Sequence, residues 1–215
     1  MIALLDTSNR KHVRLFDVFS GKALNLNIEY TAEIVELMLN QVDGPNERKL
    51  CFIDSNRDMF LTSVRRPEVL KIANMVDSFQ WHDQSDMLAA VADSKLISWF
   101  YPNAIYVDKD LMDKSKTSKE IPEVGKLATV LNFSGTTVSI RRIDGALGSY
   151  AVSPYPRFLY EQVQTAMGPA SSDGWERAIK LCRYVNDPTL WATLAAMSIY
   201  CRAYNPAEIA LASID

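Results

Sequence analysis

Two histidines, His12 and His82, and three cysteines, Cys51, Cys182 and Cys201, are the side chains of this 215-residue sequence best suited to metal or nucleophilic chemistry. His82-Asp83 with Asp86 nearby has the outline of half a metal site. That trio falls in a polar turn between two apolar runs, however, and no matching His/Asp cluster accompanies it. The cysteines lie singly within apolar segments with no CxxC spacing, the pattern of reduced, buried thiols in a reducing compartment. Asp54, Asp58, Asp93 and Asp144 occupy turn positions, where a carboxylate ordinarily bonds nearby backbone amides. The sequence contains no G-x-S-x-G elbow, Walker loop or dinucleotide glycine pattern. Catalysis lacks its parts, no cofactor or metal is implied, and the expectation is a protein that is not an enzyme.

Trp81, Trp99, Trp175 and Trp191 each sit inside an apolar run without interleaved basic residues, so they read as core and not as a stacking platform for nucleic acid. Trp99, Trp175 and Trp191 are the expected core anchors. A net charge of -3 agrees that nucleic acid is not the partner. With 48% hydrophobic and 23% charged residues the chain belongs with ordinary globular proteins, not with disordered or fibrous ones. No apolar run approaches the ~18 residues of a spanning helix, and MIALLD has no basic region ahead of its apolar residues, so membrane insertion and secretion are not expected.

The elements that hold these residues change character at Ser153-Pro154-Tyr155-Pro156. Before it come four strand pairs: residues 2–6 with 12–19, 50–54 with 59–64, 87–93 with 96–101 (preceded by 76–81), and 128–133 with 137–143 (followed by the Asp144-Gly145 turn and 147–152). Aligned on the polar residue that ends each inner strand, Asp6, Asp54, Asp93 and Asn132 are spaced by 48, 39 and 39 positions, close to the ~40–45 residues of a WD-type propeller blade. The apolar runs IALL, LCFI and LAAVA suit inner strands covered on both faces by neighbouring blades. About three and a half blades fall short of the roughly four to eight of a closed ring, which implies a piece of a larger subunit. Residues 108–124 interrupt the repeat with charge, Ser and Pro. They read as an exposed connection with one helical turn, a solvated loop whose Lys114, Lys116 and Lys119 offer a partner contact.

After the boundary, Phe158, Leu159, Gln162, Val163 and Ala166 recur at helical spacing, and Gly168-Pro169 stops that helix. Asp173 and Glu176 have capping-box spacing ahead of a Trp175, Ala178, Ile179, Cys182, Val185 stripe. Asp187-Pro188 and Asn205-Pro206 mark two further helix starts. Short loops predict antiparallel hairpins stacked as a TPR-like α-solenoid, a loose match because Ile179 and Cys182 replace the Gly and Tyr of that repeat. The fold class is therefore β then α: the last blades of a WD40-type β-propeller over residues 1–153, then the start of a helical-repeat region over 154–215.

The ordered motifs WFYPNAIYVD (99–108), IRRIDG (140–145), SPYP (153–156), WERAIKLCR (175–183), LWATLAAM (190–197) and AEIA (207–210) make the chain resemble the WD-repeat subunits of intraflagellar transport complex B along nearly its whole length. The resemblance implies a subunit with two consecutive propellers and a C-terminal helical region, this chain being the end of the second propeller and the first helices. It carries no catalytic residues across. It implies a structural role in the trains that assemble the cilium or flagellum, with complex B subunits as direct partners and microtubule motors and cargo associated indirectly. Locations would be the cilium or flagellum, the basal body and the cytoplasm; homodimerisation is left open. The chain departs from the pattern in the polar 113–123 connection, the 168–174 linker and the absence of Gly-His and Trp-Asp dipeptides. The alternative is a propeller-solenoid scaffold of a vesicle coat or nuclear pore, with the same fold and other partners. An enzyme built on a propeller channel would need convergent ionisable groups that the sequence does not offer.

Overall fold

The computed structural model describes residues 1–42, 44, 47–66, 68–168 and 173–214. Pro169, expected to stop a helix, and most of the 168–174 linker lie outside them. Four antiparallel sheets follow one another along the chain. The first contains β1 (Ile2–Leu5), β2 (His12–Phe16) and β3 (Ala23–Glu29); the second β4 (Ile34–Leu39), β5 (Lys49–Asp54), β6 (Met59–Ser63) and β7 (Leu70–Ala73). The third contains β8 (Val76–Trp81), β9 (Leu88–Ala92), β10 (Lys95–Trp99) and β11 (Lys116–Glu120); the fourth β12 (Thr129–Ser134), β13 (Thr137–Arg141) and β14 (Leu147–Ala151). The first strands of successive sheets lie side by side, β1 against β4, β4 against β8 and β8 against β12. The sheets are thus consecutive propeller blades fanned about an axis, each meandering outward from it.

This topology corrects the strand alignment read from sequence. LCFI and LAAVA belong to β5 and β9, which are second strands; the innermost strands of their blades are β4 and β8. β5 and β9 are buried at every position because they run mid-sheet with both faces covered. Asp54 and Asp93 therefore mark the ends of second strands while Asp6 and Asn132 belong with first strands, so the 39-residue spacing from Asp54 to Asp93 compares like positions and the other two spacings do not. First strands begin at Ile2, Ile34, Val76 and Thr129. IALL, in β1, is not covered on both faces: Ile2 and Leu4 are 47% and 49% exposed.

The 108–124 segment has the helical turn and the exposed side chains expected of it, but it is not a loop. It folds as helix α1 (Lys109–Lys114), capped by an Asp108 carboxylate that accepts the Asp110 N–H, and then as β11. β11 pairs with β10 from Lys95↔Glu120 to Trp99↔Lys116. β10 needs a partner for its outward amides and carbonyls, and an edge strand with solvated side chains supplies one without an apolar signal.

Four further helices follow: α2 (Tyr155–Met167), α3 (Gly174–Val185), α4 (Pro188–Tyr200) and α5 (Tyr204–Leu211), with α2 packed on α3 and α4 on α5. A Cβ on Gly174 would meet the Ala166 Cβ at 2.5 Å and the Gln162 carbonyl oxygen at 2.6 Å, so glycine is what lets α3 approach α2. Asp187 caps α4 as expected, accepting the Thr189 N–H at 2.9 Å. The other two helices also begin at their signals, but without the side-chain cap. Asp173 has helical backbone angles and makes no side-chain cap; α5 begins at Tyr204, its first bond running from the Ala207 N–H to the Ala203 carbonyl, which puts Asn205 and Pro206 inside the first turn.

α4 is buried from Leu190 to Ser198 and packs against α1 and a 3-10 turn at Pro102–Tyr106. One apolar cluster consequently runs from blades 2 and 3 into the helices. Trp99 and Trp191 are buried in it, at 1% and 4% exposure, and Trp175 is half-buried at its edge.

Candidate functional site

The side chains with chemical potential are spread over the molecule and engaged locally. His12, on β2, lies 3.5 Å from the exposed Glu29. His82 is buried, and its Nδ1 accepts the Gln84 and Ser85 N–H groups at 3.0 and 2.9 Å. That leaves Nε2 to donate to the Gly135 carbonyl at 3.1 Å. Asp83 lies 3.4 Å from Nδ1, but a ring nitrogen that accepts two amides carries no proton and makes no ion pair. Burial holds the His82 pKa below its ordinary value, outweighing Asp83 and the Gly135 bond, which act the other way. His82 is thus a latch between blades 3 and 4, beside the Asp83 N–H bond to the Phe133 carbonyl at 3.1 Å. Its lone pair is occupied, and among the described residues no group of three or more His, Cys, Asp or Glu is placed to hold a metal ion.

Burial raises the thiol pKa of all three cysteines, Cys182 to about 12 and Cys201 to about 11, which disfavours the nucleophilic thiolate. The turn carboxylates serve turns: Asp54 Oδ1 accepts the Asn56 and Asp58 N–H groups, each at 2.9 Å, and Asp144 accepts that of Ala146 at 2.9 Å. Asp58 instead pairs with Lys71 at 2.6 Å. Asp93 and Ser94, with φ of 47° and 62°, form the left-handed pair of a two-residue hairpin.

The third member of the supposed metal trio, Asp86, has a different task. Its Oδ1 lies 3.0 Å from Lys49 Nζ and accepts the Asn40 amide at 3.0 Å; its Oδ2 accepts the Asn103 amide at 3.1 Å. Lys49 and Asp86 side chains are 0% and 1% exposed. Lys49 opens β5, Asn40 follows β4, Asp86 precedes β9, and Asn103 sits in the 3-10 turn under α4. One carboxylate therefore ties blade 2 to blade 3 and to the base of the helices. Sequence reasoning missed this cluster; the available signal was a lysine heading the apolar run LCFI.

Asn103 also lines a cleft of ≈ 510 Å³ between the turn after β6, the 3-10 turn and the end of α4. Arg65, Arg66 and Arg202 face it, with Glu47 the acidic member of its lining. The lysines expected on a loop are elsewhere: Lys114 closes α1, while Lys116 and Lys119 stand on β11, where a three-residue offset sends them to opposite faces of the strand. The structure does not bring the three together as one patch.

The blades and the helices that follow them make comparison with known proteins informative. A family model described as the IFT80 second beta-propeller matches residues 1–155. The chain belongs to that family. The match ends at the first residue of α2 and so takes in all four blades. The intraflagellar transport protein 80 homologs of Mus musculus and Rattus norvegicus are each 38% identical to it over 219 residues, which cover 99% of this chain and 27% of each relative. The chain thus spans about a quarter of the length of the curated relatives it matches. The crystal structure of a computationally designed protein, Ika4, aligns with 66% of this chain and 81% of its own at 10% identity and a TM-score of 0.44, a likeness too loose to bear on the fold.

Proposed function

We propose that the chain is part of a non-enzymatic structural subunit of intraflagellar transport complex B, acting through protein–protein contacts in the trains that build the cilium or flagellum. The match to the IFT80 propeller family over residues 1–155, with 38% identity extending through the helices, carries this reading. Other complex B subunits are the proposed direct partners, with motors and cargo associated indirectly; the proposed locations are cilium, basal body and cytoplasm. The proposed division of labour is a propeller unit over 1–153 and a helical unit over 154–215, the latter presenting the extended surface typical of stacked helix pairs. Local engagement of His82, the turn carboxylates and the buried thiols supports a role without titrating chemistry.

The test uses the full-length subunit in ciliated cells. Size-matched replacement of His12, His82 and the three cysteines should leave complex assembly and ciliary entry intact, apart from modest packing losses and the stability lost with the His82 hydrogen bonds. Deletion of residues 175–215 should impair incorporation. Normal trains from the deletion, or inactive trains from a stably folded histidine and cysteine variant, contradict the proposal.

A further inference from the structure

The cleft at the propeller–helix junction has an excess of basic residues in its lining. Its lining includes Arg65, Arg66 and Arg202 against Glu47. Glu47 is already engaged through both oxygens, by Arg65 at 2.8 Å and by the Tyr200 hydroxyl at 2.9 Å. Arg66 and Arg202 are exposed, and neither pairs with a carboxylate among the described residues. Beside them the Tyr106 hydroxyl is buried without a hydrogen-bond partner. Such an orphaned polar atom is costly unless something from outside completes it. Burial first, and Glu68 next, push the Tyr106 phenol up, so it stays an O–H donor. Two uncommitted guanidinium forks and one idle hydroxyl form a donor-only set suited to an oxyanion.

We infer that this cleft binds an acidic segment of a partner polypeptide, with a carboxylate held by Arg66, Arg202 and the Tyr106 hydroxyl. Two features favour a peptide over a free anion. The volume, ≈ 510 Å³, is far larger than one small ion needs, and Val107 and Ile199 add an apolar wall for a side chain next to the carboxylate. The cleft draws on blade 2, the 3-10 turn and the end of α4, so an occupant touches the blades and the helices at once. The inference concerns binding chemistry and does not depend on the transport role.

A fluorescein-labelled peptide of alternating glutamate and leucine, with a glutamine-for-glutamate control, titrated into the intact 215-residue chain and followed by anisotropy, tests it. The acidic peptide should bind, more weakly as salt is added. The Arg66→Gln/Arg202→Gln double variant should lose about tenfold or more in affinity, as expected when charge-assisted bonds are removed. Tyr106→Phe should lose less. Arg10→Gln, on the distant first blade, should bind as the parent does, and melting temperatures should not move. Absence of binding, equal binding of the glutamine peptide, or unchanged affinity in the double variant overturns the inference. Displacement of the peptide by inorganic phosphate at comparable concentration also overturns it, since the arginines then serve a free anion.

Discussion

Substituting Asp86 with alanine removes the carboxylate 3.0 Å from a lysine whose side chain is 0% exposed, and takes the acceptor from the amides of Asn40 and Asn103. Desolvating an ammonium is tolerable when a carboxylate is in place and expensive when it is not; breaking one side of a buried pair costs about 3–5 kcal/mol. Asn40 is 0% exposed and Asn103 7%, so little water reaches the stranded donors, which favours the upper half of that range. For a chain of this length each kcal/mol moves Tm by about 2–4 °C, giving a drop of about 10 °C or more. The companion variant, Lys49→Met with Asp86→Leu, removes both charges at similar volume and should recover at least half of the loss, although the two asparagine donors stay unpaired. Thermal and urea melts of the intact chain, read by far-UV circular dichroism, measure both. An alanine variant within about 1 kcal/mol of the parent would refute the claim that this cluster ties the blades to the helices. So would a double variant no more stable than the single, because the cost would then not lie in an uncompensated charge.

Trp191→Ala should cost roughly 3–5 kcal/mol, because a ring 4% exposed leaves a cavity that the surrounding helices cannot close; unchanged melting together with a lost partner contact would make Trp191 a surface anchor instead. His82, whose pKa is lowered by burial, binds a proton less readily folded than unfolded, so its stabilisation is present above the unfolded value of about 6.5 and is lost as pH falls through that region. The stability gap between the parent and His82→Asn should therefore narrow from about pH 7.5 to about pH 5 in denaturant titrations; a constant or widening gap contradicts the neutral latch. Residues 1–153 expressed without the helices should aggregate or melt without cooperativity, since removing α4 uncovers α1, the 3-10 turn and the cluster around Trp99. A monomeric, sharply melting product in gel filtration and calorimetry would show that the blades are an independent unit.

The parts legible in the sequence were those whose burial is continuous or strictly periodic. β5, β6, β9, β10 and β13 announce themselves as apolar runs between turns, and α2 and α3 carry one-sided stripes. β4 was missed because Glu36 interrupts IVELML, although that carboxyl is largely enclosed, accepts the Ser78 hydroxyl, and has its pKa raised mainly by burial. β11 was missed because KTSKE holds no apolar residue; backbone pairing with β10, not side-chain burial, makes it a strand. Without β4 the blade register slipped by one strand. The Lys49–Asp86 pair joins residues 37 positions apart and the arginine cleft brings Arg66 to Arg202, and no local spacing signals either.

The central claim, that the chain serves as a structural part of an intraflagellar transport assembly, is tested most directly by the identity and stoichiometry of the proteins that copurify with the full-length subunit from ciliated cells. The account predicts complex B subunits in near-equal amounts, lost when residues 175–215 are deleted and retained when the histidines and cysteines are replaced. Copurification with vesicle-coat or nuclear-pore proteins in place of transport subunits would contradict it.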